Sequence, residues 1–193
     1  LGKVVAAYEA AMNYNKHSTR VPSAILQLGL VNLRAGNIPE AKGYFAVLRK
    51  NYPTDPNVPL ISYYWGDFYF QKGDYQKAAE NFDRLVQEHP ESKFVREASL
   101  GLARSLKNLG HFEQAAQIVD FISNRWPRFY IEYPLFYRMA GEVFMGMEEY
   151  DRAREYFWTY YNLSPNDDGI DIILARLGEA YLMIGRKKTA REM

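Results

Sequence analysis

The sequence predicts an all-α solenoid of antiparallel helix pairs, and three regularities carry that prediction. A small residue recurs at Gly29, Gly66, Ala103, Gly141 and Gly178, at intervals of 37, 37, 38 and 37 residues. Twelve positions after each stands an alanine (Ala41, Ala78, Ala115, Ala153 and Ala190), and sixteen after the first four a large apolar side chain, Phe45, Phe82, Val119 and Phe157. Twenty-four positions after the same four comes a proline, Pro53, Pro90, Pro127 and Pro165, which lacks the N–H that a helix interior needs and so ends each pair. Self-similarity at a fixed period of this length marks units that cannot bury an apolar face alone and must stack on neighbouring copies.

Taken in order, residues 1–16 fit the second helix of a partial unit, with Val4, Tyr8 and Ala11 at the offsets of Ala41, Phe45 and Leu48. Complete pairs are expected over 22–53, 59–90, 96–127 and 134–165, and residues 171–193 supply a first helix and the start of a second. The clearest pair is 59–90: Trp65, Gly66, Tyr69 and Phe70 lie on its first helix, and Ala78, Phe82 and Leu85 share one face of its second. Pro22, Pro59 and Pro134 stand seven positions before a small-residue mark, at the expected first position of a first helix, where no N–H partner is lost. Gly36, Gly73, Gly110 and Gly185 stand seven positions after a mark, where a left-handed residue is expected to close the first helix. The fourth pair carries Glu148 there, so its turn is expected to be built differently. The Gly or Ala marks and the following alanines are expected to let the paired helices cross closely. Because the chain opens on Leu1 and closes inside a helical pattern at Met193, it reads as a segment of a longer protein.

Composition narrows the function classes. With 193 residues, 48% of them hydrophobic and 16% aromatic, the chain has ample material for a core. Its 24 basic and 23 acidic residues are interspersed and leave a formal charge of +1, so no charge-driven partner, nucleic acid or acidic membrane is expected. The lack of cysteine excludes disulfides, thiolate nucleophiles and zinc–thiolate centres. No apolar run approaches the roughly 18–20 residues that span a bilayer, so this segment is not expected to insert in a membrane.

No cofactor, metal or catalytic site is expected. His17, His89 and His111 fall in loops or turns, and none pairs with another at metal-ligand spacing. The glycines follow the packing period rather than a phosphate-loop pattern. The acidic pairs Glu148-Glu149 and Asp167-Asp168 sit at turns or helix starts, where carboxylates suit the helix dipole.

The combined spacing, as in Gly66, Tyr69, Ala78, Phe82 and Pro90, resembles the tetratricopeptide repeat, and the likeness covers essentially the whole chain. It implies a right-handed superhelical solenoid that binds a protein or peptide in a concave groove lined by the first helix of each pair. Matched by offset, the groove positions that matter most are Leu26, Leu30, Leu33, Tyr63, Asp67, Phe70, Arg104, Lys107, Arg138 and Glu142. Tyr63 and Phe70 are the expected apolar anchors, and Arg104, Lys107 and Arg138 the expected partners of a ligand carboxylate. Against this stands packing: the three leucines as inter-repeat core, the charges as ion pairs between adjacent helices. The Lys and Asn clamp of chaperone-binding family members is absent at the matching positions.

The units here are longer than the family's usual 34 residues, through linkers such as PTDPNV and PRFYIEY, and in this they look like cell-envelope members, the outer-membrane assembly lipoprotein and the Tol-Pal-associated periplasmic protein. The resemblance therefore points to an interaction scaffold, with bacterial cell-envelope assembly as its setting. The alternative is a spacer or self-assembly module acting through exposed helix ends. The aromatic linker from Trp126 to Pro134, followed by Phe136 and Tyr137, is expected to fold back over the hairpin edge rather than form a docking patch, and Trp158, Tyr160 and Tyr161 are expected to be wall. Asn162-Leu163-Ser164 matches a glycosylation acceptor only for a eukaryotic source.

Overall fold

The protein is described here by a computed structural model covering residues 2–14 and 18–193. His17 and the side chains of Val4 and Tyr130 lie outside the described residues. The helices are α1 (Gly2–Tyr14), α2 (Val21–Arg34), α3 (Ile38–Asn51), α4 (Val58–Gln71), α5 (Tyr75–Glu88), α6 (Val95–Asn108), α7 (Phe112–Arg125), α8 (Phe129–Glu132), α9 (Leu135–Gly146), α10 (Tyr150–Leu163), α11 (Ile170–Met183) and α12 (Lys187–Glu192). They form two compact units, Leu1–Ala98 and Ser99–Met193. Closely packed antiparallel pairs are α2 with α3 and α4 with α5 in the first unit, and α9 with α10 in the second. Pro22 and Pro59 are the second residues of α2 and α4, one place later than expected, and Pro134 directly precedes α9.

Where the paired helices cross, the small residue makes room for a ring. A Cβ on Gly66 would fall 2.8 Å from the Phe82 ring, and one on Gly141 2.6 Å from Cδ1 of Phe157; Gly29 stands against Phe45 in the same way. The alanines of the second helices (Ala41, Ala78, Ala115 and Ala153) are fully buried beside them. The third pair has Ala103 where the others have glycine and Val119 where they have phenylalanine, both fully buried. The close approach is thus helix backbone against aromatic ring, and a smaller side chain on one helix is matched by a larger one on the other. Burying each of these phenylalanines contributes about 1.5–3 kcal/mol.

The turns between paired helices share one geometry. Gly36, Gly73, Gly110 and Gly185 have φ of 80°, 76°, 75° and 81°, and Glu148 adopts φ 61° at the equivalent place. In the second pair the N–H of Gly73 donates to the Phe70 carbonyl and that of Asp74 to the Tyr69 carbonyl, both at 3.0 Å. In the fourth, Glu148 donates to Met145 at 3.1 Å and Glu149 to Phe144 at 3.0 Å. The expectation of a different fourth turn is therefore corrected: the hydrogen bonds demand the left-handed residue, and a glutamate supplies it at a steric cost of about 1–2 kcal/mol. The α5 start is further held by the Asp74 carboxylate, which accepts from the Lys77 N–H at 3.2 Å.

The long linkers are ordered turns. Asp55 Oδ1 accepts from the backbone N–H and the side-chain amide of Asn57 at 2.8 and 2.7 Å, and Asp167 Oδ1 accepts from the Gly169 N–H at 2.9 Å. The aromatic linker folds inward: Phe129 and Phe136 join the core of the second unit, and Phe129 packs on Tyr133 and on Phe136 at ring distances of 5.9 and 5.8 Å. Tyr160 is fully buried, and the Trp158 indole N–H donates to the Tyr181 hydroxyl at 2.9 Å. At the other end, the Tyr44 hydroxyl of α3 donates to Glu9 of α1 at 2.6 Å. That bond, and then partial burial, pushes the Tyr44 pKa up to about 12.

Candidate functional site

The positions expected to receive a ligand fall on α2 and α4 in the first unit and on α6 and α9 in the second, and each set is described by itself. In the first unit Leu26, Leu30 and Leu33 are only 2%, 4% and 3% exposed, because α2 packs on α3 and α4 through that face. They serve as core, although edges of Leu30 and Leu33 border a recess of about 560 Å³ with Tyr64, Asp67, Phe68 and Gln71. Tyr63 is half-buried, with its ring edge-on to Tyr64 at 5.5 Å and to Phe82 at 5.8 Å. Phe70 is also half-buried and meets Tyr75 at 5.3 Å. Asp67 accepts from the Gln71 amide at 2.8 Å and gives the recess its one acidic group among these residues. The face therefore offers half-buried rings and a carboxylate.

In the second unit Arg104 is exposed on α6. Lys107 on α6 forms an ion pair with Glu142 on α9, and Arg138 Nε lies 3.7 Å from the other oxygen of Glu142. One carboxylate thus already sits between two of the three expected cations. The Arg138 guanidinium also reaches the α10–α11 linker, where a Cβ on Gly169 would fall 2.7 Å from it. Asp167 there is held below the usual carboxylate range by the Gly169 N–H first, then by the Tyr160 hydroxyl and Arg138. The buried Tyr160 hydroxyl lies beside these two groups without a hydrogen bond of full geometry to either, and burial, then Asp167, raises its pKa. Lys107 and Arg138 are thus positioned around one carboxylate, and Arg104 is exposed on the same helix as Lys107.

Among the described residues no group of three His, Asp or Glu side chains is placed to hold a metal ion, and no helix is long and apolar enough to cross a membrane. His89 ends α5 and His111 precedes α7. A feature missed in the sequence lies among the second helices of the first unit: a cleft of about 580 Å³ whose lining includes Lys42, Arg49, Lys50 and Arg84. The available signal was positional, since the second unit carries Ala116, Ser123, Asn124 and Thr159 at the same offsets.

Comparison with known proteins gives a consistent fold. Two family models described as tetratricopeptide repeat match residues 26–93 and 69–125, together just over half of the chain. Among curated proteins, the Outer membrane protein assembly factor BamD of Rickettsia prowazekii is 25% identical over 183 residues, 87% of this chain and 68% of that protein. Tetratricopeptide repeat protein 21B of Xenopus laevis is 28% identical over 105 residues, 53% of this chain but only 8% of that protein's length. Among solved structures, MamA from Desulfovibrio magneticus aligns over 89% of both chains with a TM-score of 0.68 at 22% identity. A tetratricopeptide repeat protein from Parabacteroides merdae aligns over 99% of this chain and 71% of its own with a TM-score of 0.63 at 20% identity.

Proposed function

Because this chain belongs to the tetratricopeptide repeat family, we propose that it is a non-enzymatic scaffold that captures segments of other proteins on the first helices of its pairs. The observation that carries the reading is the partial exposure of Tyr63 and Phe70 in the first unit and the exposure of Arg104 in the second, at positions that the family resemblance implies line its groove. Half-buried rings anchor apolar side chains, and the basic face around Arg104, Lys107 and Arg138 attracts a carboxylate that competes with Glu142. The likeness to an outer-membrane assembly factor supports cell-envelope assembly as the setting. The test is affinity capture from native extract with the protein and with Arg104→Glu/Arg138→Glu, helicity being checked by circular dichroism. A partner retained by the native protein and lost with the variant is the expected result; equal capture by both sinks the basic-face part of the reading.

A spacer or self-assembly role is the second reading, and the exposure of Ile172, Leu182 and Met183 on α11 (49%, 53% and 57%) supports it. Sedimentation at rising concentration distinguishes it: a mass that grows, and that Leu182→Glu returns to one chain, favours association.

A further inference from the structure

We propose that the cleft between α3, α4 and α5 is a second docking site, for a short acidic segment of a partner protein with Asp or Glu residues flanking an apolar side chain. The site lies wholly in the first unit and on second helices as well as α4, so it is independent of the first-helix faces described above.

Its floor is aromatic. Trp65 and Tyr69 of α4 stack with centroids 5.8 Å apart and planes 26° from parallel, and Trp65 is steadied edge-on by Phe45 at 5.9 Å. Its walls are cationic: α3 supplies Lys42, Arg49 and Lys50, and α5 supplies Arg84. Among the described residues none of these four forms an ion pair, in contrast to Lys77, Lys107 and Arg152. Arg49 is held by a long hydrogen bond, its Nη2 donating to the Ser62 hydroxyl at 3.4 Å. Partial burial, then the neighbouring Arg84 charge, lowers the Arg49 pKa from its ordinary value, and Glu88 opposes that effect. Arg49 and Arg84 thus line one cleft over an apolar floor.

Such an arrangement is complementary to an anion. Guanidinium forks bind carboxylates in bidentate fashion, and an aromatic floor takes an apolar side chain against it. A nucleic acid would need a basic track along the surface, whereas here the four cations are gathered at one cleft of a chain whose net charge is only +1. The extent of the cleft suits a few residues of peptide.

The experiment uses the full 193-residue chain and a fluorescein-labelled Glu-Glu-Leu-Glu-Glu peptide, with Gln-Gln-Leu-Gln-Gln as its uncharged counterpart. Anisotropy measures affinity, and the Trp65 indole N–H, assigned by Trp65→Phe, reports position by NMR. The expected result is saturable binding of the acidic peptide that moves the Trp65 signal and weakens as salt is raised. Binding should fall about tenfold or more in Arg49→Glu/Arg84→Glu and in the gentler Arg49→Gln/Arg84→Gln. It should persist in Lys187→Glu/Lys188→Glu, a charge change on α12, and the Trp65 signal separates this site from the first-helix faces. Four outcomes overturn the proposal: equal binding of the glutamine peptide, indifference to the Arg49 and Arg84 changes in folded protein, no saturation up to about 1 mM, or tighter binding of oligothymidylate at the same cleft.

Discussion

The α3–α4–α5 region of the first unit and the α7–α9–α10 region of the second are built on the same offsets yet finish differently. In the second, Tyr156 fills the place of Asn81 and stacks on Phe144 at 5.2 Å, 18° from parallel. Arg152 lies 3.8 Å over the Phe144 ring and bridges to Asp120 at 2.7 Å and Glu149 at 3.2 Å. In the first, Ala46 stands where Asp120 would be, Asn81 leaves room, and the basic residues along the rim have no such carboxylate. The same repeat offsets therefore carry an ion-paired surface in one unit and a cationic cleft in the other. Inside the pairs the contrast is of another kind, since Gly66 with Phe82 in the first unit and Ala103 with Val119 in the second solve the same volume problem by opposite choices.

That second contrast supports the largest effect. Gly66→Ala puts a methyl 2.8 Å from the buried Phe82 ring and should cost about 1–3 kcal/mol. Adding Phe82→Val should recover part of the loss by reproducing the Ala103 and Val119 combination, as read from urea denaturation of both variants; additive losses would show that the two positions are not coupled. The turns come next. Glu148→Gly should stabilise the second unit by about 1 kcal/mol by relieving a left-handed residue, and Gly73→Ala should destabilise the first by a comparable amount at φ 76°. Equal melting temperatures for Glu148→Gly and the parent would refute the strain. Smallest is the surface charge pair: Asp120→Ala should cost about 0.2–1 kcal/mol, whereas Ala46→Asp should leave stability nearly unchanged and weaken acidic-peptide binding at the first-unit cleft. Unaltered peptide affinity in Ala46→Asp would break the parallel between the regions.

Much of the architecture was legible because it rests on residues close in the chain. The recurrence of Gly29, Gly66, Ala103 and Gly141 with Phe45, Phe82, Val119 and Phe157 identifies which helices pair, since each contact spans sixteen residues and recurs at one offset. The Glu148 turn was misread because residue type suggested a break, while the hydrogen bonds at the end of α9 impose the same left-handed geometry that glycine takes elsewhere.

The candidate surfaces were less legible. Leu26, Leu30 and Leu33 match ligand-facing offsets, yet α2 turns them into the core. Lys107 reads as a free cation until Glu142, 35 residues away, is brought against it. A net charge of +1 excluded a charge-driven partner on average but not locally, because helices folded side by side gather Lys42, Arg49, Lys50 and Arg84 into one cleft. Period, pairing and turn positions follow from local sterics that a repeating pattern displays directly. Which side chains stay open to a partner depends on what the adjacent pair places opposite them, and that is decided only when the helices stack.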